Sequence, residues 1–344
     1  MKPLLKYSEV YISNVCNYSC NHCQSLNNFA FKGHQRWDDY KDEYRKLSEK
    51  FDIARIVIIG GEPLLNPDFE KWLIGISELW PKSKLQISTN GTYLDKITEE
   101  TYQILARHNG TVGITCHDIN MYGKFLKFAN TFLKGVVAEH YIVSNDVDKI
   151  NWNKTYNSVK GDSPWPNCEG IENFENLPAD IKSEFCRRLK TDPSITSKTI
   201  SRTLVDINGV EVMVEWSQSF VPSVIEIVDG HRLKINFDSD PDEAHEICYF
   251  KECHQMNKGK LYKCPLVSVF SDFSNQFTVE ISDKDRELME SYKPLTSQNT
   301  PEEVSEFIDD IENTIPQCKF CPSNYNTRHN FLGSDKKIKI VPIT

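Results

Sequence analysis

The residues of this chain best suited to chemistry are its cysteines, because most of them fall into two groups. Three lie on one short segment, Cys16-Asn-Tyr-Ser-Cys20-Asn-His-Cys23, and five more lie between Cys248 and Cys321. Thiolates are ligands for zinc and for iron–sulfur clusters, and cysteines grouped in this way, in a chain with no secretory signal, are typical of metal sites. The spacing therefore predicts two metal centres.

The first group is a CxxxCxxC loop that directly follows a predicted strand over Glu9–Ser13. Three thiolates on so short a loop can hold three corners of a four-iron cluster and leave the fourth iron open to a reactant. A zinc site with His22 or a distant residue as its fourth ligand has the same spacing. Both interpretations are open when the loop is considered alone.

The next two predicted strands each end in a segment that can contact a ligand. The second strand is followed by Gly60-Gly61-Glu62-Pro63, and the third ends in Ser88-Thr89-Asn90-Gly91. Parallel α/β folds gather their ligand groups at such strand ends. Structural explanations also exist, because Glu62 can stabilise a helix start and Ser88 and Asn90 are common in turns.

In this order, on successive strands, the three motifs resemble those of the radical SAM superfamily over roughly the first 145 residues. The resemblance implies that Cys16, Cys20 and Cys23 hold a [4Fe–4S] cluster. Its open iron would be chelated by the amino and carboxylate groups of S-adenosylmethionine. His22 is a departure, because the family usually has an aromatic residue before the third cysteine.

The same resemblance implies the contacts of the cofactor. The Gly60–Pro63 segment would line the methionine amino group, where glycines let the backbone approach closely. The Ser88–Asn90 segment would lie by the ribose and carboxylate. Thr115, near the end of the fourth predicted strand, is a further candidate for which a structural role explains the residue equally well. One electron, from a donor such as flavodoxin or ferredoxin, would break the S–C5′ bond, and the 5′-deoxyadenosyl radical would abstract hydrogen from a substrate.

The second group comprises Cys248, Cys253, Cys264, Cys318 and Cys321. Its spacing resembles the twitch domain, the shortened form of the SPASM domain, and this resemblance implies an auxiliary iron–sulfur cluster. Five thiols compete for four corners. Cys253 is the extra one by spacing, although it can replace Cys248 or face the substrate. A zinc ribbon built from two cysteine pairs is the alternative.

Strand and helix patterns alternate over the first 145 residues or so and predict a parallel sheet or barrel with right-handed crossovers. With the resemblance, the expected fold class is α/β: a partial (βα)6 TIM-like barrel over residues 1–235, then a small cysteine-rich α+β auxiliary-cluster domain over 236–344. Residues 151–174 are predicted to be an irregular excursion and a candidate substrate lid. Asn208-Gly209 and Asp229-Gly230 predict hairpin turns.

Composition narrows the class of protein further. The 344 residues are 39% hydrophobic and 26% charged, which excludes fibrous, coiled-coil and fully disordered proteins. No apolar run approaches the ~18 residues of a membrane span, and the first residues lack a signal core, so we expect a cytoplasmic protein with no membrane contact. The net charge of −9 makes a nucleic-acid partner unlikely.

We therefore expect a radical SAM enzyme, with oxidoreductase, lyase or isomerase chemistry, that acts on a peptide or on a small polar molecule such as a sugar derivative. Two alternatives remain open. One is a radical SAM enzyme that modifies a nucleic-acid base, and the other is a non-catalytic zinc or iron–sulfur protein. The isolated thiols of Cys116, Cys168 and Cys186 are predicted to be structural.

Overall fold

The structure is a computed structural model, and it describes residues 2–20, 23–118, 121–144, 199–217, 219–220, 223–230, 232–248, 250–323 and 329–330. The chain divides into two compact units, each described here by itself. The first unit comprises Met1–Leu85, Val221–Thr327 and Leu332–Thr344, and the second comprises Gln86–Phe220 and Arg328–Phe331. Both cysteine groups belong to the first unit.

Strands and helices are numbered in chain order. The described strands are β1 (Leu4–Tyr11), β2 (Asp52–Ile59), β3 (Lys84–Thr89), β4 (Thr111–Thr115), β5 (Val136–Ser144), β6 (Thr199–Asp206), β7 (Glu211–Ser217), β8 (Ser219–Phe220), β9 (Ile225–Val228), β10 (Arg232–Ile235), β11 (Gln255–Asn257), β12 (Lys260–Tyr262), β13 (Val279–Glu280) and β14 (His329–Asn330). The described α-helices are α1 (Trp37–Ser48), α2 (Phe69–Leu79), α3 (Glu99–Arg107), α4 (Tyr122–Phe132), α5 (Pro241–Glu246), α6 (Pro265–Ser274), α7 (Asp283–Glu290) and α8 (Pro301–Asp309). Short 3-10 helices cover Asn27–Phe29, Pro63–Leu65, Leu94–Lys96 and Pro316–Phe320.

The main sheet of the first unit has the strand order β12-β11-β1-β2. β1 is parallel to β2 along its whole length and parallel to β11 at the pairs Glu9–Gln255 and Val10–Met256. β11 and β12 form an antiparallel hairpin. A strand from the second cysteine region therefore covers the edge of β1.

Helices α1 and α2 pack together through aromatic side chains and cover β2. Ile56 and Ile58 of β2 are fully buried, as expected for a strand covered on its faces. Trp72 of α2 lies edge-on to Trp37 and Tyr44 of α1, with ring centroids 5.0 and 5.3 Å apart. Such aromatic contacts stabilise the elements from which the functional loops leave.

The helix starts of the cysteine-rich region follow from local sequence. Asp240 accepts hydrogen bonds from two backbone N–H groups at the start of α5, just before Pro241. Thr300 and Glu303 form a reciprocal capping box at the start of α8. The chain between the cysteines is thus built from short helices with fixed ends.

An apolar core joins the cysteine-rich region to the segment after the first cysteine group. The ring of Phe273 in α6 lies 5.4 Å from Phe29 and 5.6 Å from Phe31, both in edge-on contact. All three side chains are buried. The two cysteine groups, far apart in the sequence, therefore belong to one packed unit.

The second unit contains a sheet with the order β3-β4-β7-β6-β5, in which Gln86–Thr89 of β3 pairs with β4. The pairs β3–β4 and β4–β7 are parallel, and β7–β6 and β6–β5 are antiparallel. One face is apolar and buried, with Val112, Ile114, Val212 and Val214. The alternate positions of the same strands form a largely polar face.

The α/β fold class with a mainly parallel sheet is confirmed, and four strand–helix units, β1–α1 to β4–α4, are described. The expectation that residues 136–144 continue the parallel run is wrong, because β5 is antiparallel to β6 at the sheet edge. β7 follows β6 through the predicted hairpin at Asn208-Gly209, and it is β7 that pairs with β4. The second predicted hairpin, at Asp229-Gly230, joins β9 to β10.

Residues 151–174, Cys168 and Cys186 lie outside the described residues.

None of the helices in the described part of the chain is both long and apolar enough to cross a membrane.

Candidate active site

The first cysteine group leaves the sheet just beyond β1. Cys16 is buried, and Cys20 and Cys23 are half-buried, with the Cys23 N–H donating to the Cys20 carbonyl at 3.2 Å. Burial raises the pKa of the Cys20 thiol, and the neighbouring Cys23 and Cys16 thiolates raise it further. The structure thus brings the three predicted ligands together, in a setting where their negative charges need a cation.

The glycine turn after β2 packs directly against the start of the cysteine loop. The Gly61 N–H donates to the Ser13 carbonyl at 2.7 Å, and the Glu62 N–H donates to the Val15 carbonyl at 2.9 Å. A Cβ on Gly61 would lie 2.5 Å from the Val15 carbonyl oxygen and 2.9 Å from the Cys16 Cβ. Only a residue without a side chain allows this approach, so the two motifs are matched in shape.

Glu62 is fully buried beside that turn. Its Oε1 accepts the Leu64 N–H at 3.0 Å, and it caps the short helix that begins at Pro63. The helix-start role considered from the sequence is therefore present. One carboxylate can cap a helix and still offer a lone pair to a cationic ligand.

Three further predicted residues lie in the second unit. Ser88 is half-buried on β3 and pairs with Gly113, and Asn90 follows the strand and accepts the Thr92 N–H at 3.0 Å. This is the turn role that the sequence also allowed for Asn90. Thr115 is the last residue of β4 and lies opposite Glu215 of β7.

Glu215 and Ser201 were not recognised from the sequence. They lie directly opposite each other on β7 and β6, in register with Thr115. The Glu215 Oε2 and Ser201 Oγ atoms are inaccessible to water and have no hydrogen-bond partner among the described residues. Burial raises the pKa of the Glu215 carboxyl to about 7. Buried polar atoms without partners call for an explanation, and a bound polar ligand is one.

Cys116 and His117, which directly follow Thr115 in the chain, offer less to a ligand than Glu215 and Ser201. The Cys116 thiol, directly after β4, is buried and donates to the Asp118 carbonyl at 2.9 Å. Burial lowers the pKa of His117 to about 4, so its imidazole is neutral at physiological pH. Cys116 thus has the structural role expected for it.

The second cysteine group is assembled from three separate segments. Cys248 follows α5, Cys264 precedes α6, and Cys318 and Cys321 lie at the 3-10 helix over Pro316–Phe320. Burial raises the pKa of the Cys321 thiol, and the charges of the other three thiols raise it further. The same two causes, with Cys318 and Cys248 as neighbours, raise the pKa of Cys264 to about 12. The thiols of Cys248, Cys264 and Cys318 therefore all lie near that of Cys321.

Cys253 has a different environment. Burial raises the pKa of its thiol, and the next cause is the Glu9 carboxylate, followed by Cys248. Glu9 accepts hydrogen bonds from Tyr7 and Gln255, at the junction of β1 and β11. Cys253 thus lies near both Cys248 and the half-buried Glu9 carboxylate of β1.

The donor sets suit iron–sulfur clusters. Thiolates are soft ligands that select zinc or iron–sulfur clusters over harder ions, and three thiols leave one iron of a four-iron cluster without a protein ligand. Within the described ranges, no three His, Cys, Asp or Glu side chains surround one point closely enough to ligate a single metal ion.

Comparison with known proteins shows which family the segment with the first cysteine group resembles. Residues 10–132 match the family model described as the radical SAM superfamily. A GTP 3′,8-cyclase from Nautilia profundicola is 28% identical over 98 residues, which cover 28% of this chain and 31% of that protein. A GTP 3′,8-cyclase from Listeria monocytogenes is 31% identical over 96 residues, covering 27% of this chain and 28% of that protein.

Residues 10–132 are thus similar to the radical SAM superfamily. The cofactors of that superfamily are a [4Fe–4S] cluster and S-adenosylmethionine. The chain spans about three tenths of the length of the curated relatives it matches. A solved structure of BtrN in complex with AdoMet and 2-DOIA is 28% identical over 34% of this chain and 47% of that one. Its TM-score of 0.27 is too low to bear on the assignment.

Proposed function

We propose that this protein reductively cleaves S-adenosylmethionine at a [4Fe–4S] cluster held by Cys16, Cys20 and Cys23. The packing of Gly61 against Cys16 carries the proposal, because it joins the glycine turn of β2 to the cysteine loop of β1. A cysteine loop that holds a structural ion has no need of a side-chain-free turn beside it. A cluster that must admit a reactant at one corner does.

A [4Fe–4S] cluster held by Cys16, Cys20 and Cys23 would supply the one-electron reduction that cleaves S-adenosylmethionine and so starts hydrogen abstraction from the substrate. The residues of the chain bind and orient the cofactor. Glycine backbone admits its methionine end, a buried carboxylate meets its ammonium group, and hydroxyl and amide groups meet its ribose and carboxylate. The residues proposed for these contacts are Gly60, Gly61, Glu62, Pro63, Ser88, Asn90 and Thr115.

We further propose that Cys248, Cys264, Cys318 and Cys321 hold an auxiliary iron–sulfur cluster. Support comes from the Cys321 thiol, whose pKa is raised by burial and then by the charges of Cys264, Cys248 and Cys318. Cys253 is the spare thiol in this assignment, because its first charged neighbour is Glu9. The chemistry of S-adenosylmethionine would then lie in a core domain over residues 1–235, and the auxiliary cluster in a domain over 236–344.

A matched pair of variants tests the choice of fourth ligand. Cys248→Ala is expected to lower the iron content by about four atoms per chain, the loss of one [4Fe–4S] cluster. Cys253→Ala is expected to leave the iron content unchanged. The opposite pattern would exchange the roles of the two cysteines.

The substrate that we propose is polar, either a peptide or a small molecule. The support is the Glu215 and Ser201 pair, whose buried, unpartnered oxygens suit hydrogen-bond donors such as hydroxyl or ammonium groups. The two cyclases match this chain over 98 and 96 residues, so we do not carry GTP over from their names.

The electron that starts the reaction would come from a small donor protein such as flavodoxin or ferredoxin. The compartment that we propose is the cytoplasm, whose reducing conditions keep cysteines as thiols. None of the nine described cysteines forms a disulfide with another of them, which is compatible with that setting.

The test is anaerobic. The protein is reconstituted with iron and sulfide, reduced with dithionite and supplied with S-adenosylmethionine, and 5′-deoxyadenosine and methionine are measured by chromatography. Both products are expected from the wild-type protein. Absence of 5′-deoxyadenosine, under conditions where a known radical SAM enzyme turns over, would rule the function out.

Metal analysis separates the proposal from the zinc alternative. Protein purified without oxygen is expected to contain iron and acid-labile sulfide, with the visible absorption of [4Fe–4S] clusters. Two zinc ions per chain, and neither iron nor sulfide, would instead indicate a structural metal protein. Salt-sensitive binding to RNA or DNA would favour the nucleic-acid-modifying alternative.

A further inference from the structure

The segment after the third cysteine folds back onto the sulfur of that cysteine. The Asn27 N–H donates to the Cys23 Sγ at 3.4 Å, and the Leu26 N–H donates to the Cys23 carbonyl at 3.2 Å. This turn requires Leu26 to adopt a φ of 58°, in the left-handed region that a leucine rarely occupies. Leu26 is fully buried in the core with Phe29 and Phe31, so packing holds the strained backbone in place.

The Asn27 side chain ties this turn to the residues on the other side of the cysteine loop. Its Nδ2 donates to the Tyr11 hydroxyl at 3.0 Å and to the Asn14 carbonyl at 2.6 Å. Its Oδ1 accepts from the Cys23 thiol at 3.7 Å. Asn27 is 1% exposed, so these bonds are shielded from competing water.

The turn directs a backbone donor toward the cysteine sulfur. The Asn27 N–H is held 3.4 Å from the Cys23 Sγ by the backbone conformation of Leu26 and by the anchored Asn27 side chain. A backbone N–H that donates to a ligand sulfur stabilises negative charge on that sulfur.

We propose that Asn27 is a positioning residue that raises the reduction potential of the first cluster by holding its own N–H against the Cys23 sulfur. The inference rests on the proposed function, because it needs an iron–sulfur cluster on this loop. The reduced cluster carries one more negative charge than the oxidised cluster, and part of that charge lies on the ligand sulfurs. A donor fixed against one of those sulfurs stabilises the reduced form more, which raises the potential.

The test compares Asn27→Ala with the matched control Asn28→Ala in the reconstituted protein. Asn28 is the next residue and is also buried, but its Oδ1 has no hydrogen-bond partner. Reduction of the cluster is followed by redox titration with electron paramagnetic resonance. The signal that changes when S-adenosylmethionine is added identifies the first cluster.

Asn27→Ala is expected to lower the ratio of reduced to oxidised cluster about tenfold at a fixed potential, which is about 59 mV for one electron. The iron content should stay at the wild-type value, and Asn28→Ala should leave the potential unchanged. A wild-type potential in Asn27→Ala would overturn the proposal, as would an equal fall in both variants.

Tyr11→Phe provides a second measurement in case Asn27→Ala loses its cluster. This change removes only the hydroxyl that accepts the hydrogen bond from the Asn27 Nδ2. The ratio of reduced to oxidised cluster at a fixed potential is expected to fall two- to threefold. A Tyr11→Phe potential equal to the wild type would then overturn the proposal. Failure of the proposed function is distinct, because it would appear as absent 5′-deoxyadenosine in the wild-type protein.

Discussion

The two units of the molecule carry different chemistry. In the first, eight described cysteines lie in two groups, and their thiols repel one another as anions, so this unit is suited to binding metal. In the second, the polar row of Thr115, Glu215 and Ser201 contains buried oxygens that have no partner, so this unit is suited to binding polar groups. Substitutions should therefore change the iron content in one unit and leave it unchanged in the other.

The largest effect expected is from replacing Cys16, Cys20 and Cys23 together by alanine. Production of 5′-deoxyadenosine should fall to the background of the assay, and about four irons per chain should be lost, because no ligand remains for the first cluster. Chromatography and iron analysis measure the two quantities. Cys116→Ala, a buried thiol of the second unit, is the control and should keep both values.

A smaller effect on cleavage is expected from replacing Cys318 and Cys321 by alanine. Iron should again fall by about four atoms per chain, and thermal stability should fall because the ligands come from three segments that the metal holds together. Cleavage of S-adenosylmethionine should continue in part. Full iron content in this variant would contradict the assignment of the auxiliary cluster.

In the second unit, Glu215→Gln should leave the iron content unchanged and stabilise the fold. Folding raises the pKa of this carboxyl from 4.5 to about 7, so the ionised form is disfavoured in the native state. The destabilisation is absent below pH 4.5, grows between pH 4.5 and 7, and is complete above pH 7, where it amounts to roughly 3 kcal/mol.

Urea unfolding at pH 8 and pH 5 measures this effect, and the advantage of Glu215→Gln should be larger at pH 8. Glu211→Gln is the control on the same strand, because the Glu211 carboxylate already accepts a hydrogen bond from Thr111 at 2.7 Å. An equal gain at both pH values would show that ionisation is not the cause.

The smallest effect concerns the contact between the two cysteine regions inside the first unit. The Gln35 Nε2 donates to the Tyr11 carbonyl at 2.5 Å and to the Asn257 Oδ1 at 2.7 Å. Gln35→Ala should lower the free energy of unfolding by about 2 kcal/mol, because buried polar atoms lose their partners. Gln276→Ala, which removes an exposed bridge to Lys32, should cost less than about 0.5 kcal/mol.

The features that the sequence predicted correctly are local. The two hairpin turns each depend on a few adjacent residues, and the Asn-Gly and Asp-Gly pairs indicate these turns directly. The parallel order of β1 with β2 and of β3 with β4 follows from alternating strands and helices. In these features the conformation preferred by adjacent residues is also the one found in the fold.

The features that the sequence missed depend on contacts between distant segments. Nothing in residues 136–144 indicates that β6, some sixty residues later, will pair with them as an antiparallel neighbour. Glu215 is one acid in an alternating strand, and only its register with Ser201 shows that it lacks a partner. Asn27 is one polar residue among several, and its importance lies in the turn that aims its N–H at Cys23.

The pairing of β1 with β11 has a consequence for biosynthesis. β1 leaves the ribosome about 245 residues before Gln255 and Met256, which cover its outer edge. At a synthesis rate of ~5 to 20 residues per second, that edge stays open for roughly ten seconds or more. An open strand edge is a template for aggregation. Expression of residues 1–235 alone should therefore give aggregated protein, and the nascent chain is expected to need a chaperone until β11 has been made.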